Sequence, residues 1–210
     1  MRKLSDYIFH VGVNDDDKVL FEGLWPLPYG VSYNSYLVTD EQIALIDTVE
    51  AGFEEEYLYN IKEVLGDKGI DYLVVNHMEP DHSSMISYML SEYPDMKIVA
   101  NARTLPMLKG YYSVPEEKVM VVNDGDVLSL GSLSLSFHMI PMVHWPETMV
   151  TYLAEEKTLF SGDAFGTFGR VEGHGTDSDG IFEAYEDEMV RYYASIVGKY
   201  GAPVQTALKK

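Results

Sequence analysis

One short stretch, Val74-Val75-Asn76-His77-Met78-Glu79-Pro80-Asp81-His82-Ser83-Ser84-Met85, constrains this chain more than any other. The apolar run over residues 72–75 predicts a buried strand, and it ends almost directly on His77, Glu79, Asp81 and His82. Pro80 forbids a helix from starting before His77, so the spacing predicts that all four groups lie on the loop between that strand and the next helix. Strand-end loops are where sheet proteins place their chemistry. Two imidazoles and two carboxylates gathered this closely are costly unless a cation or solvent offsets them. The alternative is a plain helix start, with Asp81 as N-cap and both histidines on the surface; it accounts for any one of these residues but poorly for four together.

The segments on either side predict a layered α/β fold. Residues 19–25 and 31–39 read as strands separated by the turn-forming Pro26-Leu27-Pro28-Tyr29-Gly30, and residues 42–47 complete a meander ending on Asp47. Asp47 reads either as a strand-end cap or as a group standing behind a metal ligand. Phe53, Tyr57, Leu58, Ile61, Val64 and Leu65 fall at helical spacing, and Gly66 and Gly69 are available to stop that helix. Strand, crossover helix and strand make a parallel unit. The alternation continues with a helix over residues 85–93, a strand over 96–100, a short helix from Asn101 and a strand over 118–122.

Residues 127–130 and 133–140 then predict a hairpin, with Leu133, Leu135, Phe137 and Met139 on one face and His138 on the other as a surface histidine. Strands follow over 148–153 and 158–161, and a glycine-rich loop over 166–180 carries His174, read as exposed. The helix predicted over 182–199 turns Tyr185, Met189, Tyr192, Tyr193, Ile196 and Val197 to the core. Pro203 opens another helix that no strand follows, so one domain over residues 1–210, cut short at its C-terminus, is expected.

Composition narrows the chemistry. The chain has no cysteine, which removes disulfides, thiolate ligands and a cysteine nucleophile, so any metal must rest on His, Asp and Glu. Thirty-four acidic against 15 basic residues give a formal net charge of -19, which repels nucleic acid and anionic lipid and accumulates cations. No signal-like or membrane-length apolar run occurs, so a cytoplasmic protein that binds neither nucleic acid nor membrane is expected.

Two later residues share the strand-end placement of the first four. His144 lies in the loop before the strand at 148–153, and Asp163 lies in the corner Gly162-Asp163-Ala164-Phe165-Gly166. His77, Glu79, Asp81, His82, His144 and Asp163 are too many for one tetrahedral zinc. Two metals sharing one carboxylate would use them all.

The order of these residues resembles the metallo-β-lactamase-like superfamily, whose αββα sandwich carries a His-x-His-x-Asp-His signature, a later His, a bridging Asp and a final His. Glu79 stands here at the second His of that signature. With Tyr29-Gly30-Val31-Ser32-Tyr33-Asn34-Ser35-Tyr36, His144-Trp145-Pro146 and Gly162-Asp163-Ala164-Phe165-Gly166, the pattern looks like the diiron domain of flavodiiron proteins over nearly the whole chain. The resemblance implies two iron ions in an oxo- or hydroxo-bridged centre. His77, Glu79 and His144 would hold one, Asp81 and His82 the other, and Asp163 would bridge. The added carboxylate suits iron or manganese better than zinc.

The family's last His has no match within these residues. Neither has the phosphate-binding loop of the flavodoxin module, so no FMN is expected in this chain. In that respect the chain resembles the stand-alone oxygen-binding diiron proteins, oxygen sensors of bacterial chemotaxis. The resemblance thus implies dioxygen, or nitric oxide, as the reacting partner, a chemoreceptor or an external flavoprotein or rubredoxin as protein partner, and a homodimer. A dizinc hydrolase and a scaffold with a decayed site are the readings that compete with it.

Overall fold

The computed structural model describes residues 1–170, 176 and 182–210, so the expectation for His174 lies outside the described residues. Fifteen strands occur among them. β1 (Arg2–Lys3), β2 (Ile8–His10), β3 (Val13–Asp15), β4 (Leu20–Phe21), β5 (Trp25–Pro26), β6 (Val31–Tyr33), β7 (Tyr36–Thr39) and β8 (Ile43–Ile46) precede the first helix, α1 (Glu54–Leu65). β9 (Tyr72–Val74) leads into α2 (Pro80–Ser83) and α3 (Ile86–Glu92), and β10 (Lys97–Asn101) into α4 (Leu105–Tyr112). β11 (Val119–Val122), β12 (Val127–Ser129), β13 (Ser134–Met139), β14 (Met149–Leu153) and β15 (Thr158–Phe160) follow, then α5 (Phe182–Tyr192) and α6 (Gly201–Ala207).

A seven-stranded sheet in the order β1-β2-β7-β8-β9-β10-β11 faces a four-stranded antiparallel sheet, β12-β13-β14-β15. β8 to β11 run parallel, as the crossover α1 requires, while β1, β2 and β7 join antiparallel. The central strands are covered on both faces, which explains their unbroken apolar runs. In β8, Ala44 and Ile46 belong with Val74, Val99, Leu135, Phe137, Met149 and Phe160 in the core between the sheets. Ile43 and Leu45 belong with Tyr57, Ile61 and Leu65 of α1 in a second core. Three glutamates in the first turn of α1 and Lys62 in its last turn match its dipole. The C-terminal helices add Tyr192, Ile196, Val197 and Val204 to that second core, together with Val150 of β14. The mixed α/β fold expected from the sequence is therefore the observed one.

β13 shows why its alternation was readable: Leu135 and Phe137 are fully buried while Ser134, Ser136 and His138 are half-exposed. Phe137→Ala should lower stability by about 3–5 kcal/mol, read from the urea midpoint, because the cavity would open between two sheets that cannot close over it.

Several details differ from expectation. Residues 19–25 are not one strand, because Glu22 and Gly23 turn the chain at left-handed φ and pair β4 with β5, and residues 31–39 divide into β6 and β7, which belong to different sheets. The helix expected from Asn101 begins at Leu105, because Asn101 still belongs to β10. Tyr193 is exposed, because residues 193–197 form a wider π-helical turn that carries it off the buried face. Strands β1 to β3 are too short and mixed to show a period in sequence.

Candidate metal centre

The six candidate residues meet at one end of the sandwich, on segments that follow strands of both sheets. His77 and Glu79 lie on the extended segment after β9. Asp81 and His82 are not in a loop but in α2, because Pro80, which bars a helix before it, occupies the first turn of one that starts there. His144 comes from the β13–β14 connection, where Met142 has a left-handed φ of 65°. Asp163 follows β15, where Gly162 takes a φ of 55° that a side chain would disfavour.

One ligand-type atom from each of His77, Glu79, His144 and Asp163 lies within 4.8 Å of all the others. Glu79 Oε2 is 2.9 Å from His144 Nε2 and 3.2 Å from His77 Nε2. Asp163 divides its carboxylate: Oδ2 is 3.5 Å from His77 Nε2 and 3.4 Å from His144 Nε2, whereas Oδ1 is 2.8 Å from His82 Nε2. Asp81 Oδ2 stands 3.8 Å from His82 Nε2, and Asp81 Oδ1 is buried without a hydrogen-bond partner.

The back of the His77 imidazole is braced. Glu147 Oε1 accepts from His77 Nδ1 at 2.9 Å and from the Met78 N–H at 3.1 Å. Asp47, at a left-handed φ of 54°, accepts the Asn76 N–H on Oδ1 at 2.7 Å and holds Oδ2 3.7 Å from His82 Nδ1. Of the two sequence readings of Asp47, the strand-end cap is the one its Asn76 contact matches, while its approach to His82 is too long for a hydrogen bond. Thr48 N–H and Oγ1 both donate to the His82 carbonyl, and Ser83 Oγ donates back to the carbonyls of Met78 and Glu79. The rings of Trp145 and His77 pack nearly perpendicular to each other, centroids 5.2 Å apart.

Charge in this pocket is strongly perturbed. Burial opposes protonation of His77 and His144, but the surrounding carboxylates outweigh it and raise both to about 9; His82 is raised well above its ordinary value in the same way, chiefly by Asp163 and Asp81. Asp163 is held well below the usual carboxylate range, against burial, by His82 and the other imidazoles. Burial pushes Asp81 up to about 7. Without a cation the carboxylates are therefore neutralised by imidazolium. Three imidazoles and three carboxylates, with an unpartnered buried carboxylate oxygen among them, fit metal ions that would take the place of those protons.

Three participants escaped the sequence reading. Glu147 is the first, and a carboxylate three residues past His144 in an otherwise apolar setting is the signal the sequence offers for it. Glu22, at a left-handed φ of 49° between β4 and β5, has its carboxyl pKa raised by burial and by Glu79. Tyr192, read as core, is buried with its hydroxyl against Asp163; burial first, then the charges of Asp163, Asp81 and Glu79, push its pKa well above the ordinary phenol value.

Residues 31–199 match the model of a family described as "ODP family beta lactamase". The chain is 35% identical over 208 residues to rubredoxin-oxygen oxidoreductase of Megalodesulfovibrio gigas, covering 99% of this chain and 51% of that protein. It is 38% identical over 169 residues to the anaerobic nitric oxide reductase flavorubredoxin homolog of Escherichia coli O157:H7, covering 80% and 41% respectively. The crystal structure of the flavodiiron protein from Giardia intestinalis superposes with a TM-score of 0.91 at 31% identity, over 99% of this chain and 50% of that one. The chain thus spans about half the length of the relatives it matches. Among the described residues, no helix is long and apolar enough to cross a membrane.

Proposed function

Since the chain belongs to the ODP family of β-lactamase-fold domains and is homologous to the diiron domain of flavodiiron proteins, we propose that it is a non-haem diiron protein that binds and reacts with dioxygen. His77, Glu79 and His144 would hold one iron, Asp81 and His82 the other, and Asp163 would serve both. The observation that carries this reading is the division of Asp163, with Oδ2 toward His77 and His144 and Oδ1 toward His82. A donor set this rich in carboxylate suits iron over zinc. Two ferrous ions held by these residues would supply electrons for reducing a diatomic gas.

The chain's own part is positional and protective. The imidazoles present Nε2 inward, Trp145 shields His77 from water, and Tyr192 keeps its proton and so remains a hydrogen-bond donor facing Asp163. We read the use of this chemistry as oxygen sensing of the chemotaxis type, in the cytoplasm, by a homodimer that signals to a chemoreceptor. What supports that finer reading is the resemblance set out from the sequence. The relatives' names favour a second reading, reduction of dioxygen or nitric oxide with electrons from an external flavoprotein or rubredoxin.

The test is anaerobic reconstitution with ferrous iron followed by rapid mixing with oxygenated buffer. A sensor should give one fast optical change that decays slowly, with little further oxygen consumed. Sustained consumption once rubredoxin and its reductase are added would favour the second reading. A protein that takes up no iron would overturn both.

A further inference from the structure

We propose that Glu147 is the positioning residue of this centre: by gripping the rear nitrogen of His77 it makes the His77, Glu79 and His144 position the preorganised one, which fills first. The inference rests on the metal-centre reading above and deepens it.

Glu147 is 1% exposed, and its place is fixed from several sides. Its carbonyl accepts from Asn101 Nδ2 at 2.6 Å, the preceding Pro146 carbonyl accepts from Arg103 Nη1 at 2.8 Å, and its Oε1 accepts the Met78 N–H. The carboxylate is therefore set by the backbone of the loop it faces and by the end of β10, not by the imidazole. His77, whose side chain has no exposure, adapts to it. Donation from Nδ1 to Oε1 leaves Nε2, which faces Glu79 and Asp163, as the nitrogen that exchanges its proton for a metal. An amide at position 147 could accept from Met78 as well as a carboxylate does. The negative charge, with its second oxygen buried and unpartnered, is accounted for by His77.

His82 lacks an equivalent grip. Asp47 Oδ2 is 3.7 Å from His82 Nδ1, too far for a hydrogen bond, and that ring nitrogen is buried without one. Asp47 Oδ1 is already committed to the Asn76 N–H. One half of the site thus has its imidazole ordered in advance, while the other must order its ring on binding, and that difference sets the sequence of loading.

The experiment is a Zn2+ titration of the metal-free chain, wild type, Glu147→Gln and Asp47→Asn, read by competition with a chromophoric chelator and by 15N resonances of the imidazoles. In wild type, His77 and His144 should shift during the first equivalent and His82 during the second. Glu147→Gln should weaken the first equivalent by about 10- to 100-fold and move the His77 Nδ1 resonance before any metal is added. Asp47→Asn, which keeps an oxygen to accept the Asn76 N–H, should disturb the first equivalent far less than Glu147→Gln does. Shifts of His82 ahead of His77 in wild type, which needs no variant to fold, would overturn the proposal, as would an unchanged first equivalent in Glu147→Gln. Either result leaves the metal-centre reading standing, whereas a wild-type chain that binds no Zn2+ and no ferrous iron removes both.

Discussion

Asp163→Ala is expected to abolish binding of both irons, while His144→Ala keeps one. The two Asp163 oxygens point to different imidazoles, Oδ1 to His82 and Oδ2 to His77 and His144, so removing the carboxylate withdraws a donor from each half. His144 Nε2 faces Glu79 and the Oδ2 side of Asp163. Elemental analysis after anaerobic reconstitution should read about two irons per chain in wild type, about one in His144→Ala and close to none in Asp163→Ala. Loss of a single metal in both variants would show that Asp163 does not bridge.

Metal affinity should climb steeply with pH, and the stability of the metal-free protein should move the opposite way. His77 and His144 titrate at about 9 in the folded chain, so at pH 7 each must release a proton before its Nε2 can donate to a metal. With both protons displaced, affinity at that position should rise by up to about 100-fold per pH unit between roughly pH 6.5 and 9, then level off. The stability sign follows from the same shifts. A histidine whose pKa is raised above its unfolded value contributes stability that is complete below about 6.5 and is lost as pH rises through 9. Asp81, raised to about 7 by burial, acts in the same direction at lower pH. Chelator competition at several pH values, alongside thermal melts of the metal-free chain, checks both trends. A pH-independent affinity would mean that the imidazoles are already unprotonated in the folded chain.

The ligand-type residues were legible in the sequence because their spacing is short and their chemistry unusual: four of the six fall within six positions behind an apolar run. His144 and Asp163 were legible because each follows a break between strands. Their supports were not. The contact between Glu147 and His77 joins residues 70 positions apart, and nothing in the local sequence of either names the other. The placement of Asp81 and His82 in a helical turn was missed because Pro80 was read only for what it forbids upstream, although proline equally favours starting a helix. In the fold, strands with a clear period such as β13 were readable. The exposure of Tyr193 depends on one wide turn that no propensity announces.

The placement of the six groups on both sheets has a mechanical corollary. His77, Glu79, Asp81 and His82 belong to the large sheet's side, Asp163 and His144 to the small sheet's, and protein bonds already stitch the same seam: Asn76 at the end of β9 accepts from the Met149 N–H and from Thr151 Oγ1 of β14. Metals lodged across that seam would act as removable rivets between two plates. At ligand concentrations a thousandfold above the dissociation constant, each would add about 4 kcal/mol against separation. The loaded chain would then resist proteases and pulling forces by an amount set by how fast it surrenders its ions, and a chelator would loosen both sheets at once.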